Sequence, residues 1–233
     1  MHIPDGFLDP RMSVGLIGVA VLTIGYCFNK VKEAVTILVP SKALEGLAAQ
    51  NFVQLLGKSK RVLSKAGEQK IYKMGMVASL VFAAQMFNFP ISQGTSGHLI
   101  GGAFSVVILG PFAGVLVLAV VVMIQALFFA DGGLLAIGAN VINMAFFGAF
   151  IPYYLYSFLK SRISKNLSIA FASWFSVVLA SIIASFEIAM SGTVDLSLVL
   201  KSMVSVHILI GFVEAFVTGF MVQMFNRMTA EGE

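Results

Sequence analysis

Seven apolar stretches account for most of this 233-residue chain: about Met12 to Phe28, Met74 to Asn88, Gly97 to Leu109, Pro111 to Ala130, Ile137 to Leu159, Leu167 to Met190 and Leu198 to Phe225. A helix that crosses the hydrocarbon core needs about 20 mostly apolar residues, fewer where protein shields it. The third stretch is short and glycine-rich. The rest of the sequence agrees with a lipid environment, since 58% of residues are hydrophobic and 11% charged, where soluble domains carry about a quarter charged. The expected fold is all-α, a polytopic membrane protein with seven transmembrane helices forming one domain over residues 1–233.

Charge placement orients this bundle. The longest polar connection, Asn29 to Lys73, holds nine of the fifteen basic residues: Lys30, Lys32, Lys42, Lys58, Lys60, Arg61, Lys65, Lys70 and Lys73. The positive-inside rule places that loop in the cytoplasm. Counting helices onward puts the Gly110 turn, the Lys160/Arg162/Lys165 loop and the C-terminus with Arg227 on the same side. Thirteen basic residues then lie inside, with Arg11 and Lys201 outside. Residues 1–11 are expected to be external. Within residues 29–73, Leu44, Leu47, Ala48, Phe52, Leu55 and Leu56 recur at near-helical spacing, which fits either a surface-lying amphipathic helix or a short solvated one. Membrane orientation accounts for the formal charge of +4, and no basic, aromatic-interleaved surface points to nucleic acid. The single cysteine, Cys27, excludes an intramolecular disulfide framework. The N-terminus lacks a basic n-region and cleavage site, so Met1 is expected to be the mature first residue.

The opening residues carry chemistry. Met1-His2 offers an α-amine, the His2 backbone amide and the His2 imidazole, which can close fused chelate rings around one cation. Late first-row divalent ions favour such nitrogen sets, and Ni(II) or Cu(II) tolerates a planar arrangement. His98, following the Asn88-to-Gly94 loop, is the candidate fourth nitrogen. Pro4 extends Ile3, and Asp5-Gly6 reads as a turn. His2, His98 and the Ala130-Asp131-Gly132-Gly133 turn all fall on the outer side.

Polar residues inside the apolar spans are expensive in hydrocarbon and usually face a bundle interior. They are Gln85 and Asn88, Gln125, Asn140 and Asn143, and His207 with Glu214. With Asp131 they form either interhelical hydrogen-bond glue or a network that orients metal ligands. Gly57-Lys58-Ser59 echoes a P-loop ending, but position 52 is Phe52 where a glycine is required. No His-Glu-x-x-His, Gly-x-Ser-x-Gly or Cys-x-x-Cys supplies a catalytic motif. The chain reads as a non-enzyme that does not hydrolyse ATP.

Together the segments Met1 to Leu8, Gly94-Thr95-Ser96-Gly97-His98, Gln125 to Gly133, Gly138 to Met144 and His207 to Ala215 closely resemble the CbiM/NikM family. These are the substrate-capture components of energy-coupling-factor ABC importers for cobalt and nickel. The resemblance implies seven helices, an N-terminus tucked into the bundle, and Ni(2+) or Co(2+) held by the Met1 amine, the His2 amide and imidazole, and the imidazole of His98. It also implies a transmembrane coupling protein, cytoplasmic ABC ATPases and a small accessory membrane subunit as partners. The Asn29-to-Lys73 loop is longer than the family's usual connection. The Gly-Thr-x-x-His form around His98 favours nickel. A self-sufficient metal channel or secondary transporter is the alternative, without an inverted repeat or paired broken helices to support it. A metal enzyme would need an open coordination position.

Overall fold

The computed structural model describes residues 2–39, 60–87, 89–91 and 95–230. Among them the chain forms seven helices and two short two-stranded ladders. Helix α1 runs Pro10–Val35, where Pro10 presets the first turn and the Asp9 side chain accepts from the Arg11 N–H at 2.9 Å. It continues past the expected end at Phe28 because Lys30, Lys32 and Glu33 are good helix formers, with Lys30 and Glu33 paired at 3.5 Å. Strand β1 (Thr36–Val39) pairs antiparallel with β2 (Lys60–Leu63). Helix α2 (Lys65–Gln85) is capped by Ser64, which accepts from Gly67 N–H. Helix α1 thus ends at Val35 and α2 begins at Lys65, both inside the expected 29–73 connection, because both helices extend beyond their apolar spans. The amphipathic segment Leu44 to Leu56 lies outside the described residues.

The third apolar stretch departs most from expectation. Strands β3 (Phe89–Ile91) and β4 (Thr95–Gly97) pair antiparallel, and helix α3 begins only at Gly102, ending at Leu109. Eight residues rise about 12 Å against a hydrocarbon core of about 30 Å, so α3 does not cross alone. It sits instead at the centre, against α2 and the four helices that follow it, with Ala103 and Phe104 fully buried. Gly101 makes the entry possible. Its φ of +70° is left-handed, and a Cβ there would lie 2.9 Å from Val81.

After the Gly110 turn, α4 (Pro111–Phe128) leads to α5 (Ile137–Leu159), whose middle, Ile142–Phe150, is π-helical. Helices α6 (Lys165–Met190) and α7 (Leu196–Ala230) pack along their lengths. Among the described residues, five helices are long and apolar enough to cross a membrane: α1, α4, α5, α6 and α7. In α2 the first turns carry Lys65, Glu68, Lys70 and Lys73, which keep that end polar.

Candidate metal centre

Residues 2–9 are threaded into the bundle and tied to elements more than a hundred residues away. The Ile3 N–H donates to Asn140 Oδ1 at 2.7 Å, and Asn140 Nδ2 donates back to the Ile3 carbonyl at 3.0 Å. A side-chain amide thereby completes both backbone groups of a fully buried residue. The same carbonyl accepts from Gly133 N–H at 3.0 Å. Asp5 spreads its carboxylate over the N–H groups of Leu134 and Leu135, at 3.1 and 2.8 Å, as α5 begins. That is an anion at a helix N-terminus, supplied from a distance. Thr193, between α6 and α7, donates to the Phe7 carbonyl at 2.6 Å. Such close approach needs small neighbours, since a Cβ on Gly133 would stand 2.2 Å from Asp5 Oδ1.

This threading delivers His2 to His98. Both rings are buried, at 3% and 1% exposure, and stack with centroids 4.6 Å apart. His98 Nδ1 lies 2.6 Å from the Leu99 carbonyl oxygen. A carbonyl only accepts, so in the neutral ring Nδ1 carries the proton and Nε2 keeps its lone pair. That lone pair faces His2 Nδ1 at 3.1 Å, and Asp131 Oδ1 lies 3.0 Å from the same nitrogen. The His2 Nδ1 proton is therefore shared between two acceptors. Nitrogens bound to one ion at ~2.0–2.1 Å and a near-right angle also stand about 3 Å apart. The His2 Nδ1 and His98 Nε2 separation of 3.1 Å is thus one that two ligands of a single ion could have. Burial lowers the basicity of His2, partly opposed by its hydrogen bond to Asp131, and burial sets His98 well below the ordinary value of 6.5. Both rings are neutral at neutral pH.

The His98 loop is itself clamped. Glu214 on α7, 1% exposed, accepts from the N–H groups of Ile100 and Gly101 at 2.9 and 2.7 Å. Gln85 Nε2 donates to the Ile100 carbonyl at 2.6 Å. Of the other residues expected here, Asn143 donates to Glu187 at 2.6 Å and His207 Nδ1 donates to the Met203 carbonyl at 2.7 Å. Gln125 is buried six residues before Asp131, its side chain without a hydrogen-bond partner among the described residues. Met1 and Asn88 lie outside the described residues. Asp5 as a clamp and Glu187 as a buried carboxylate were not anticipated. Glu187 carries the same signal as Glu214, a lone acid in an apolar span. Asp5 shows only as part of a turn. Among the described residues, no three His, Cys, Asp or Glu side chains are gathered to hold a metal ion. Two imidazoles alone fall short of a coordination sphere.

Fold and site define a multi-pass membrane protein whose N-terminal segment is sealed into its own helices. The chain belongs to the family described as the cobalt uptake substrate-specific transmembrane region, which matches residues 2–231. It is 35% identical over 220 residues to a protein of Archaeoglobus fulgidus named as a fused nickel transport protein, NikMN, covering 94% of this chain and 63% of that one. It is 27% identical over 134 residues to the cobalt transport protein CbiM of Acetoanaerobium sticklandii, covering 58% of this chain and 55% of that one. The chain thus spans less than two thirds of either relative's length. A solved structure of a truncated transition metal transporter superposes with a TM-score of 0.76 at 26% identity, covering 98% of this chain and 99% of that one.

Proposed function

We propose that this chain captures a divalent transition metal ion, nickel in preference to cobalt, as the substrate-binding membrane subunit of an ATP-driven importer. The observation that carries this reading is the buried facing pair, His2 Nδ1 and His98 Nε2, 3.1 Å apart with one proton between them. The cation would take the place of that proton, with the Met1 amine and the His2 amide nitrogen completing four ligands. Asp131 would balance charge beside the complex, while Asn140, Gln85 and Glu214 hold the frame around it. Binding occurs outside, ATPase partners shift the loaded bundle, and release occurs inside. The partners are a transmembrane coupling protein, cytoplasmic ABC ATPases and a small accessory membrane subunit. Nickel is favoured because a four-nitrogen plane suits Ni(II).

The test is a titration with Ni(II) and Co(II) of the chain beginning at Met1 against one bearing a single added N-terminal Gly. The added residue converts the amine into an amide that must itself be deprotonated to bind, although no side chain changes. The expected result is a loss of affinity of about a hundredfold or more, with Ni(II) the tighter ion in the unextended chain. Equal affinities for the two proteins would rule out the amino-terminal site.

A further inference from the structure

Pro152 leaves one carbonyl of α5 without its helical partner. In an α-helix the Gly148 carbonyl would accept from the N–H four residues on, and position 152 is a proline, which has none. The ring also crowds that carbonyl, and α5 accommodates it by widening. Over Ile142–Phe150 the helix is π-helical, and Ile151 N–H reaches back to the Phe146 carbonyl. The freed Gly148 oxygen is not left bare. Ser176 of α6, fully buried, donates its hydroxyl to it, as hydroxyls of neighbouring helices do where proline breaks the ladder of a membrane span.

This junction abuts the loop that bears His98. A Cβ on Gly148 would stand 3.3 Å from Ile100 Cγ2, while a Cβ on Gly102, where α3 begins, would run into the Gly148 carbonyl and stand 2.9 Å from Ser176 Oγ. Helices α3, α5 and α6 therefore meet at Gly102, Gly148 and Ser176 with no room for a larger residue at either glycine. Earlier on α5, Asn140 binds both backbone groups of Ile3, the residue after His2. One helix thus seats both imidazole-bearing segments, and its π-helical stretch begins between the two seats. Returning that stretch to α would turn one seat relative to the other about the helix axis, because the longer-range π bonds wind more residues into each turn than the α-helix's 3.6 or so.

We propose that Ser176 is a positioning residue for the captured divalent cation: by holding the Gly148 carbonyl it fixes the π-helical register of α5, which sets the His98 loop against the His2 segment. The proposal rests on the capture reading above, since it concerns the geometry of that histidine pair and adds no ligand to it. The effect of Ser176 on the metal is exerted through α5 and the turn from Ile100 to Gly102.

Calorimetric titration with Ni(II) of the unaltered chain, Ser176→Ala, Pro152→Ala and the double variant tests this, alongside the thermal midpoint of each without metal. Trp174 emission reports whether α6 stays packed on α7, since the Trp174 ring lies against Gly211. Ser176→Ala deprives the Gly148 carbonyl of its donor and should weaken Ni(II) binding by about tenfold or more. Pro152→Ala returns the missing N–H, so α5 can close into α register with Gly148 satisfied from within. Its thermal midpoint should hold or rise while Ni(II) affinity falls by about tenfold or more, a divergence that lost packing alone does not produce. The double variant should match Pro152→Ala within about threefold, because the hydroxyl then has no register to hold. Should Ser176→Ala shift Trp174 emission, Pro152→Ala carries the test alone. Affinity within about threefold of the unaltered chain in either single variant overturns the positioning role. Affinity that falls only in step with the midpoint in both overturns it too. His98→Ala, titrated beside them, keeps the two readings apart. It loses binding if the capture site stands, whatever Ser176 does, and full affinity in it would remove the capture site and the positioning role together.

Discussion

His98 concentrates the consequences of burial at a single residue. Its Nδ1 is tied to its own chain, so Nε2 is left to face His2, and the surrounding helices exclude the water that would solvate a charged ring. His98→Ala should leave the bundle inserted, because one polar ring contributes little to its packing, and should cut Ni(II) affinity by roughly a hundredfold or more in a direct titration. The sign of the pH dependence follows from the same burial. A histidine held below its ordinary value stays neutral in the folded protein as acidity rises past 6.5, whereas the unfolded chain takes up the proton there. Its stabilising contribution is thus complete above about pH 6.5 and declines as pH falls below it. Protons should compete with metal at His98 only well below that point and at His2 below it, while an α-amine of reference value ~7.7–8.0 competes above it. Titrations across the range should show Ni(II) affinity falling between about pH 8 and 7 through the amine. A fall centred on 6.5 and abolished by His98→Ala would show that burial does not protect the ring.

Among the elements, α7 and the short α3 divide the work. The turn into α3 presents two consecutive N–H groups, and α7 answers with one carboxylate that accepts from both. Glu214→Gln replaces one accepting oxygen with an amide NH2, so one of these N–H groups loses its partner. Ni(II) affinity should drop by about 10- to 100-fold, with Trp174 emission unchanged, because the Glu214 carboxylate holds the loop that bears His98 and fills little of the core. Unchanged affinity would show that the His98 loop holds its shape without α7. At this scale the sequence was readable where periodicity and length agree, as in α4, α5 and α6. It was less so at Gly97 to Leu109, where an apolar run that looked like one span is a strand end, a left-handed turn and a half-length helix. Hydrophobicity reports burial and not the medium, so a helix wrapped in protein reads like one wrapped in lipid. Glu214 and Asn140 could be singled out as polar residues in apolar spans. Their partners could not, because a side chain that binds backbone leaves no mark on the residue it binds.

For the molecule as a whole, orientation is the property that sequence charge constrains and geometry alone does not. From the thirteen-to-two division of basic residues we propose that the 29–73 region is cytoplasmic and the N-terminus outside. A cysteine at Ser59 should resist an impermeant thiol reagent in intact cells and react after lysis; Cys27, 2% exposed, gives little background. Labelling in intact cells would invert the topology and with it the direction of capture. The threaded N-terminal segment has one more consequence, which concerns the order of synthesis. The residues made first find their partners among those made much later, at separations of 129 for His2 with Asp131 and 137 for Ile3 with Asn140. Chains emerge N-terminus first and long-range contacts form slowly. The opening segment must therefore wait, unplaced, until α5 has entered the membrane, and the metal site proposed for it would form near the end of assembly.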